Sequence, residues 1–325
     1  MSEPLRFKLV DAFTSSSYAG NVAGVVFDAD ALTDRQMQLI AAEFNASETT
    51  FILNPTVRDA ALRFRWFTPG CEVNFCGHAT IGAFHAVIED GHFAGAFDEP
   101  GTIIPIETRS GIVTLRLERS RDPAQVVTIW FDAPHNEPKK TPVNLSPLLP
   151  HLGITMDLVD PRFKPIRTHD DDIIFAITSL PVLLQMQPSM SGLIEYCRRA
   201  GGLRGIFITC FETLSAAVAA QSRFFAPNAG VDEDPVTGSA HGPFGLQLVQ
   251  CGIVPTIDGR ADFLCAQGKS GGRAGLVRVV VSEEPGEDGA IQRKVRIGGN
   301  CVTTASGILN RLPADPASGR LYKGC

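Results

Sequence analysis

RWFTP at residues 65–69 and RFFAP at residues 223–227 are two versions of one string: arginine, aromatic, phenylalanine, a small residue, proline. They start 158 residues apart (65 to 223). Each is followed by a loop and then by a glycine that opens an apolar stretch, Gly77-His78-Ala79-Thr80 in one case and Gly238-Ser239-Ala240-His241 in the other. These glycines lie 161 residues apart (77 to 238), so the second loop is three residues longer. Each stretch runs about 13 residues and ends at a further glycine, Gly91 or Gly252. A helix that is apolar around its whole circumference belongs in the centre of a domain. Self-similarity of this kind marks a duplicated structural unit.

The match extends upstream. MQLIAAEFNASETTFIL (37–53) and SGLIEYCRRAGGLRGIFIT (191–209) each read as an outer helix followed by a strand. Thr33 is a helix cap with Gln36 as its capping-box partner, and Met37, Ile40, Ala41 and Phe44 form one apolar stripe. Alternation at Leu5-Phe7-Leu9, Leu62-Phe64-Trp66 and Val113-Leu115-Leu117 predicts half-buried strands. More strands are expected near 126–132, 204–211, 220–226, 276–282 and 291–297. Strands outnumber the separated helices, and no G-x-G-x-x-G follows a strand. The predicted fold class is therefore α+β, with two pseudo-symmetric halves, each a mixed strand roll around a central helix. The halves are placed at residues 1–125 and 126–325, with the last strands able to pack back on the first half. Two facing copies would leave a cleft, a usual place for a small molecule. Central helices aimed at it would offer free N–H groups to a carboxylate, and Gly77 and Gly238 would let that ligand come close to the backbone.

Composition excludes several classes. Of the 325 residues, 44% are hydrophobic and 20% charged, enough apolar material for a core and too little polarity for a disordered chain. The net charge of −6 provides no basic field for nucleic acid. The first residues, MSEPLRFKLV, lack the apolar core of a signal peptide, so a cytoplasmic protein is expected. Ile173–Ile194 is uncharged, but Pro181, Pro188, two glutamines and several serines argue against a membrane span. That segment reads as a strand, a turn and the start of a helix. The eight cysteines contain no CxxC pair, so zinc ribbons and dithiol redox motifs are unsupported, and buried reduced thiols are expected. No metal is expected.

Chemistry should sit where the copies stop being alike. Glu48, in NASET, lies between the outer helix and its strand, where the second copy offers Leu203 or Arg204. A carboxyl group entering an apolar strand is poorly solvated, which raises its pKa towards the range where it both takes and gives a proton. The alternative is a surface glutamate at a helix end. His78 follows Gly77 at the head of a buried helix, where the positive helix end favours a neutral ring that can hydrogen-bond a substrate. It reads equally as a core histidine satisfied by backbone. Asp232, Glu233 and Asp234 precede the second helix, either as functional carboxylates or as ordinary helix-capping acids.

VDAFT (10–14), GNVAG (20–24), NASET (45–49), RWFTP, CGHAT (76–80), EDPVTGSAH (233–241) and the AQG…GR…G segment at 266–275 together resemble the PhzF-like phenazine-biosynthesis isomerase family. The resemblance implies a diaminopimelate-epimerase-like fold and a cofactor-free enzyme, usually a homodimer, that moves a hydrogen within a dihydro-hydroxyanthranilate ring. It makes Glu48 the acid/base, with His78 and Asp234 holding the substrate. Gly238 and Ser239 would bind its carboxylate, with Cys76 and Gly77 bordering the same pocket. Relatives by fold racemise amino acids with two opposed cysteines. Cys76 stands where one such thiol would be, while Pro235–Gly238 holds none, so that alternative lacks half its machinery. A non-catalytic binding protein of the same fold is a third reading. GNVAG and the GPFG after GSAH depart from the family pattern, as do extra segments near 91–107, 133–172 and beyond 311. The substrate itself is therefore left open.

Overall fold

The computed structural model describes residues 4–93, 101–119, 127–133, 136–269, 271–285 and 291–313. The chain divides into a unit of Met1–Phe131 with Gly298–Cys325 and a unit of Asp132–Ile297. The first opens with strands β1 (Leu5–Ala12) and β2 (Asn21–Val26), paired antiparallel. Helix α1 (Asp34–Phe44) follows, then β3 (Glu48–Leu53), β4 (Leu62–Phe67) and the short β5 (Glu72–Val73). The predicted capping box forms: the Thr33 hydroxyl accepts from the Gln36 N–H, and the Gln36 side chain accepts from the Thr33 N–H. Asn45, in the left-handed region at φ 50°, ends the helix and turns the chain into β3. Met37, Ile40 and Ala41 pack on Val26, Phe51 and Phe67, so α1 covers the outer face of the sheet.

Helix α2 (Gly77–Glu89) occupies the centre, as its all-round apolarity predicts. Ten of its thirteen residues are buried, and it packs against β1, β2 and β3. Burying a side chain such as Phe84 completely contributes roughly 1.5–3 kcal/mol, so this helix anchors the unit. Strands β6 (Thr102–Thr108), β7 (Gly111–Arg119) and β8 (Val127–Asp132) complete the first pass.

The second unit repeats the path. After a short helix α3 (Leu149–Leu152) come β9 (Ile166–Arg167), β10 (Asp172–Ile177), helices α4 (Leu180–Gln185) and α5 (Met190–Arg199), β11 (Gly205–Cys210), β12 (Val218–Ala226) and β13 (Val231–Asp234). The central helix α6 (Gly238–Gln250) is again thirteen residues with ten buried. Strands β14 (Arg260–Gly268), β15 (Ala274–Pro285) and β16 (Ile291–Gly299) follow, and β17 (Cys301–Leu309), which belongs to the first unit, pairs antiparallel with β1. The pairings correspond one for one. β2 and β3 are parallel, as are β10 and β11. β3 and β4 are antiparallel, as are β11 and β12. β4 and β6 are parallel, as are β12 and β14.

The repeated arginines explain why RWFTP and RFFAP recur. Arg65 makes a two-pronged bond to Glu72 on β5, at 2.7 and 2.9 Å. Arg223 does the same to Glu233 on β13, at 2.8 Å for both prongs. Each pair ties the long strand to the short one just before a central helix. The fork of a guanidinium fits a carboxylate in this way and no other cation does.

Three expectations need correction. Ile173–Ile194 is a strand followed by two short helices, because Ser179 and Ser189 each cap a new start. Strands β6, β14 and β17 carry less regular alternation and are not legible in advance. Cys71 is disulfide-bonded rather than a free thiol. The described free cysteines fit expectation better: Cys197, Cys210, Cys265 and Cys301 are buried, and burial pushes all four thiols up, Cys197 to about 11. Of the extra segments, the described part of 133–172 contributes Leu145, Leu148, Leu149 and Leu152 to the second unit's core. Residues 94–100 and 314–325 lie outside the described residues. Among the described residues no helix is long and apolar enough to cross a membrane.

Candidate active site

In the first unit the structure brings Glu48, Cys76 and His78 together. Glu48 is the first residue of β3, His78 the second of α2, and Cys76 the residue that caps α2 without a side-chain bond. His78 Nε2 lies 3.2 Å from Glu48 Oε2, and the Glu48 side chain is only 20% exposed. The approach is short but off-axis, so Nε2 has no hydrogen-bond partner among the described residues. On the other side of the ring, Nδ1 lies 3.3 Å from Asn21 Nδ2 and 3.4 Å from Cys76 Sγ. Asn21 Oδ1 already accepts from the Ser47 hydroxyl at 3.0 Å. An amide Nδ2 can only donate, so the Asn21 contact is made in the tautomer that carries the ring proton on Nε2, on the Glu48 side.

Burial holds His78 down to about 4, opposed by a weaker interaction with the Val22 carbonyl. The ring is neutral at pH 7, as predicted, but desolvation is the main cause rather than the helix end. The outcome is a neutral N–H donor beside a carboxylate that is largely shielded from water. The three side chains also present oxygen, sulfur and nitrogen atoms within 4.8 Å of one another, close enough to hold one divalent cation.

Packing adds a reason for glycine at 77. A Cβ there would lie 2.9 Å from the Phe131 ring.

In the second unit the acidic run divides. Glu233 is the brace for Arg223, and it aligns with Glu72 at the 161-residue offset. Asp234 aligns with Val73, so here the copies differ. Asp234 Oδ2 accepts from the Thr237 hydroxyl at 2.5 Å. The buried Gln267 accepts from the Thr237 N–H at 3.0 Å and donates to the Asp234 carbonyl at 2.8 Å. Gln267 thus locks the loop that presents Asp234, Gly238 and Ser239. Sequence reasoning missed it, although AQG at 266–268 is the signal. Ser239 is half-buried and accepts from Arg204 Nη2 at 3.1 Å. Thr237 caps α6 where Cys76 caps α2, so the second unit offers a hydroxyl in place of a second thiol.

The sequence profile described as "phenazine biosynthesis-like protein" matches residues 10–307, and the chain belongs to that PhzC-PhzF family. It is 32% identical over 304 residues to an uncharacterized isomerase of Clostridium acetobutylicum, covering 90% of this chain and 94% of that one. The crystal structure of the Bacillus anthracis phenazine biosynthesis protein of the PhzF family superposes with a TM-score of 0.80 at 27% identity, covering 95% of this chain and 99% of that one. A probable proline racemase of Agrobacterium radiobacter K84 shares the fold alone, with a TM-score of 0.62 at 14% identity over 96% of this chain and 94% of that one.

Proposed function

We propose that this isomerase relocates a C–H proton on a small cyclic or unsaturated carboxylate, with Glu48 as the single proton shuttle. Glu48 takes a proton from one carbon, leaving a delocalised anion, and, once its carboxyl proton has exchanged with water, delivers a proton to another carbon of the same molecule. No atoms or electrons are gained or lost overall. The neutral His78 donates through Nε2 to the substrate's polar group, and Asp234 holds a second one. Gly238 and Ser239, at the head of α6, receive the carboxylate, with Cys76 and Gly77 bordering the reacting group. The reading needs no cofactor and takes the chain to work as a cytoplasmic homodimer.

The observation that carries it is the carboxylate of Glu48, four-fifths shielded and 3.2 Å from a neutral, buried imidazole. A shielded carboxylate beside a hydrogen-bond donor is placed for proton transfer, which is worth roughly 10²–10⁴-fold. The test is incubation with a cell extract in D₂O, reading out which carboxylate acquires one deuterium. Glu48→Gln should abolish that labelling while the protein stays folded.

A second reading, a cysteine-dependent racemase, has one observation in its favour: Cys76 Sγ lies 3.4 Å from His78 Nδ1. It needs a second thiol on the opposite face of the carbon, and Thr237 occupies the corresponding position. Deuterium entering an α-carbon with inversion, lost in Cys76→Ser, would favour it.

A further inference from the structure

A pair of residues in the second unit answers to Glu48 and His78 in the first. Strand register fixes the correspondence. Phe51 pairs with Arg65 and Ile208 with Arg223, so Glu48 matches Gly205 rather than Leu203 or Arg204. The parallel neighbours agree: Ala23 pairs with Glu48, and Asp172 with Gly205. No side chain fits at Gly205, where a Cβ would lie 2.4 Å from the Phe224 ring and 2.9 Å from the Phe225 carbonyl oxygen. The side chain that reaches the head of α6 is that of Arg204, one residue earlier. Its Nη2 donates to Oγ of Ser239, which stands in the place of His78. Its Nε donates to Asp172 Oδ1 at 2.8 Å, and Nη2 also bonds Asp172 Oδ2. Asp172 is wholly buried, where the first unit has only Ala23.

A serine hydroxyl both donates and accepts. Here an acceptor position is filled by a guanidinium, which has no lone pair to offer and does not lose its charge. The hydroxyl proton must therefore point elsewhere. Arg204 is not a direct anchor for an anion, because Asp172 holds its fork, Asp170 lies 3.7 Å away and Asp234 adds further negative charge nearby.

We propose that Arg204, fixed by Asp172, is a positioning residue that fills one acceptor position of the Ser239 hydroxyl and turns its proton towards the ligand, so that this subsite favours a carboxylate over an uncharged group of the same shape. The inference rests on the reading that Ser239 meets the substrate's carboxylate, and it names the device that enforces this choice.

The experiment measures binding rather than turnover, so failure of proton transfer at Glu48 would leave its result untouched. Benzoate and benzamide are titrated into the full chain by calorimetry or ligand-observed NMR. The wild type should prefer benzoate by about tenfold, the scale of a charge-assisted hydrogen bond. Replacing Arg204 alone would strand the buried Asp172 charge, so the variant is Asp172→Asn with Arg204→Met, its fold checked by circular dichroism. Its preference should fall to about twofold or less, as should that of Ser239→Ala. Arg204→Lys, which keeps a donor-only cation, should retain most of the preference. A wild type that binds the two probes equally overturns the proposal. So does a double variant that loses affinity for both by the same factor, the mark of a purely structural role.

Discussion

The two units follow one chain path, and they agree where they are structural and part company where they are polar. Arg65 with Glu72 and Arg223 with Glu233 are the same brace built twice. Helices α2 and α6 have the same length and the same number of buried residues. Around the helix heads the correspondence fails. The first unit has Ala23, Glu48, Cys76 and His78, and the second has Asp172, Gly205, Thr237 and Ser239 at the matching positions. One set offers a shielded carboxylate beside a neutral imidazole. The other offers hydroxyls held by an ion pair and by Gln267. The two units share a frame and differ in the side chains at a few helix-head positions.

The braces give the largest expected effect. Arg223 is 4% exposed, and cutting its bond strands Glu233 in a poorly solvated place. Arg223→Met should cost about 3–5 kcal/mol in urea unfolding. Arg65→Met should cost less, since one of its partners, Asp34, is 71% exposed. Equal costs would show that the braces do not differ in burial as described.

Acid tests the helix heads next. His78 and His241 are both held down to about 4 by burial, against an ordinary value of 6.5. Between those values the unfolded chain binds protons that the native state refuses. Stability is therefore full above about pH 6.5 and falls as pH drops towards 4, by roughly 3 kcal/mol for each histidine. His241→Gln should flatten the fall in stability by about half. An unchanged slope would mean that His241 is not buried in its neutral form.

Gly205→Ala should destabilise by about 1–3 kcal/mol through its clash with Phe224, whereas a substitution at Glu48, the matching position, should leave stability nearly unchanged. A tolerated alanine at 205 would remove the reason for using Arg204. The smallest effect is at the outer helices. Thr33→Ala breaks the capping box of α1 and should cost about 1 kcal/mol, more than Ser189→Ala, whose cap is a single bond to Gly192.

Much of this organisation was legible in residue order. The repeated arginine-aromatic-proline strings, the two glycine-opened helices and the Thr33 cap all depend on neighbours a few positions apart, which a sequence displays directly. Glu48 and His78 stood out because the other copy lacks them. Strand register was not legible: the longer loop between α5 and β11 hides the match of Glu48 with Gly205. Nor could the sequence divide Glu233 from Asp234, adjacent residues that face different partners. Asp172 and Arg204 meet only through tertiary folding, as do Thr237 and Gln267, since 32 residues separate the first pair and 30 the second. Asp172 has ordinary neighbours and gains its role from burial.

The central claim is that the first unit carries the proton transfer and the second only holds the substrate. It is tested most directly by following deuterium incorporation from D₂O into the labelled carboxylate with the wild type, Glu48→Gln and Ser239→Ala. The account predicts that Glu48→Gln lowers the labelling rate at saturation by at least about 10²-fold, while Ser239→Ala mainly raises the substrate concentration needed. A Glu48→Gln protein that labels at a near-normal rate would contradict it.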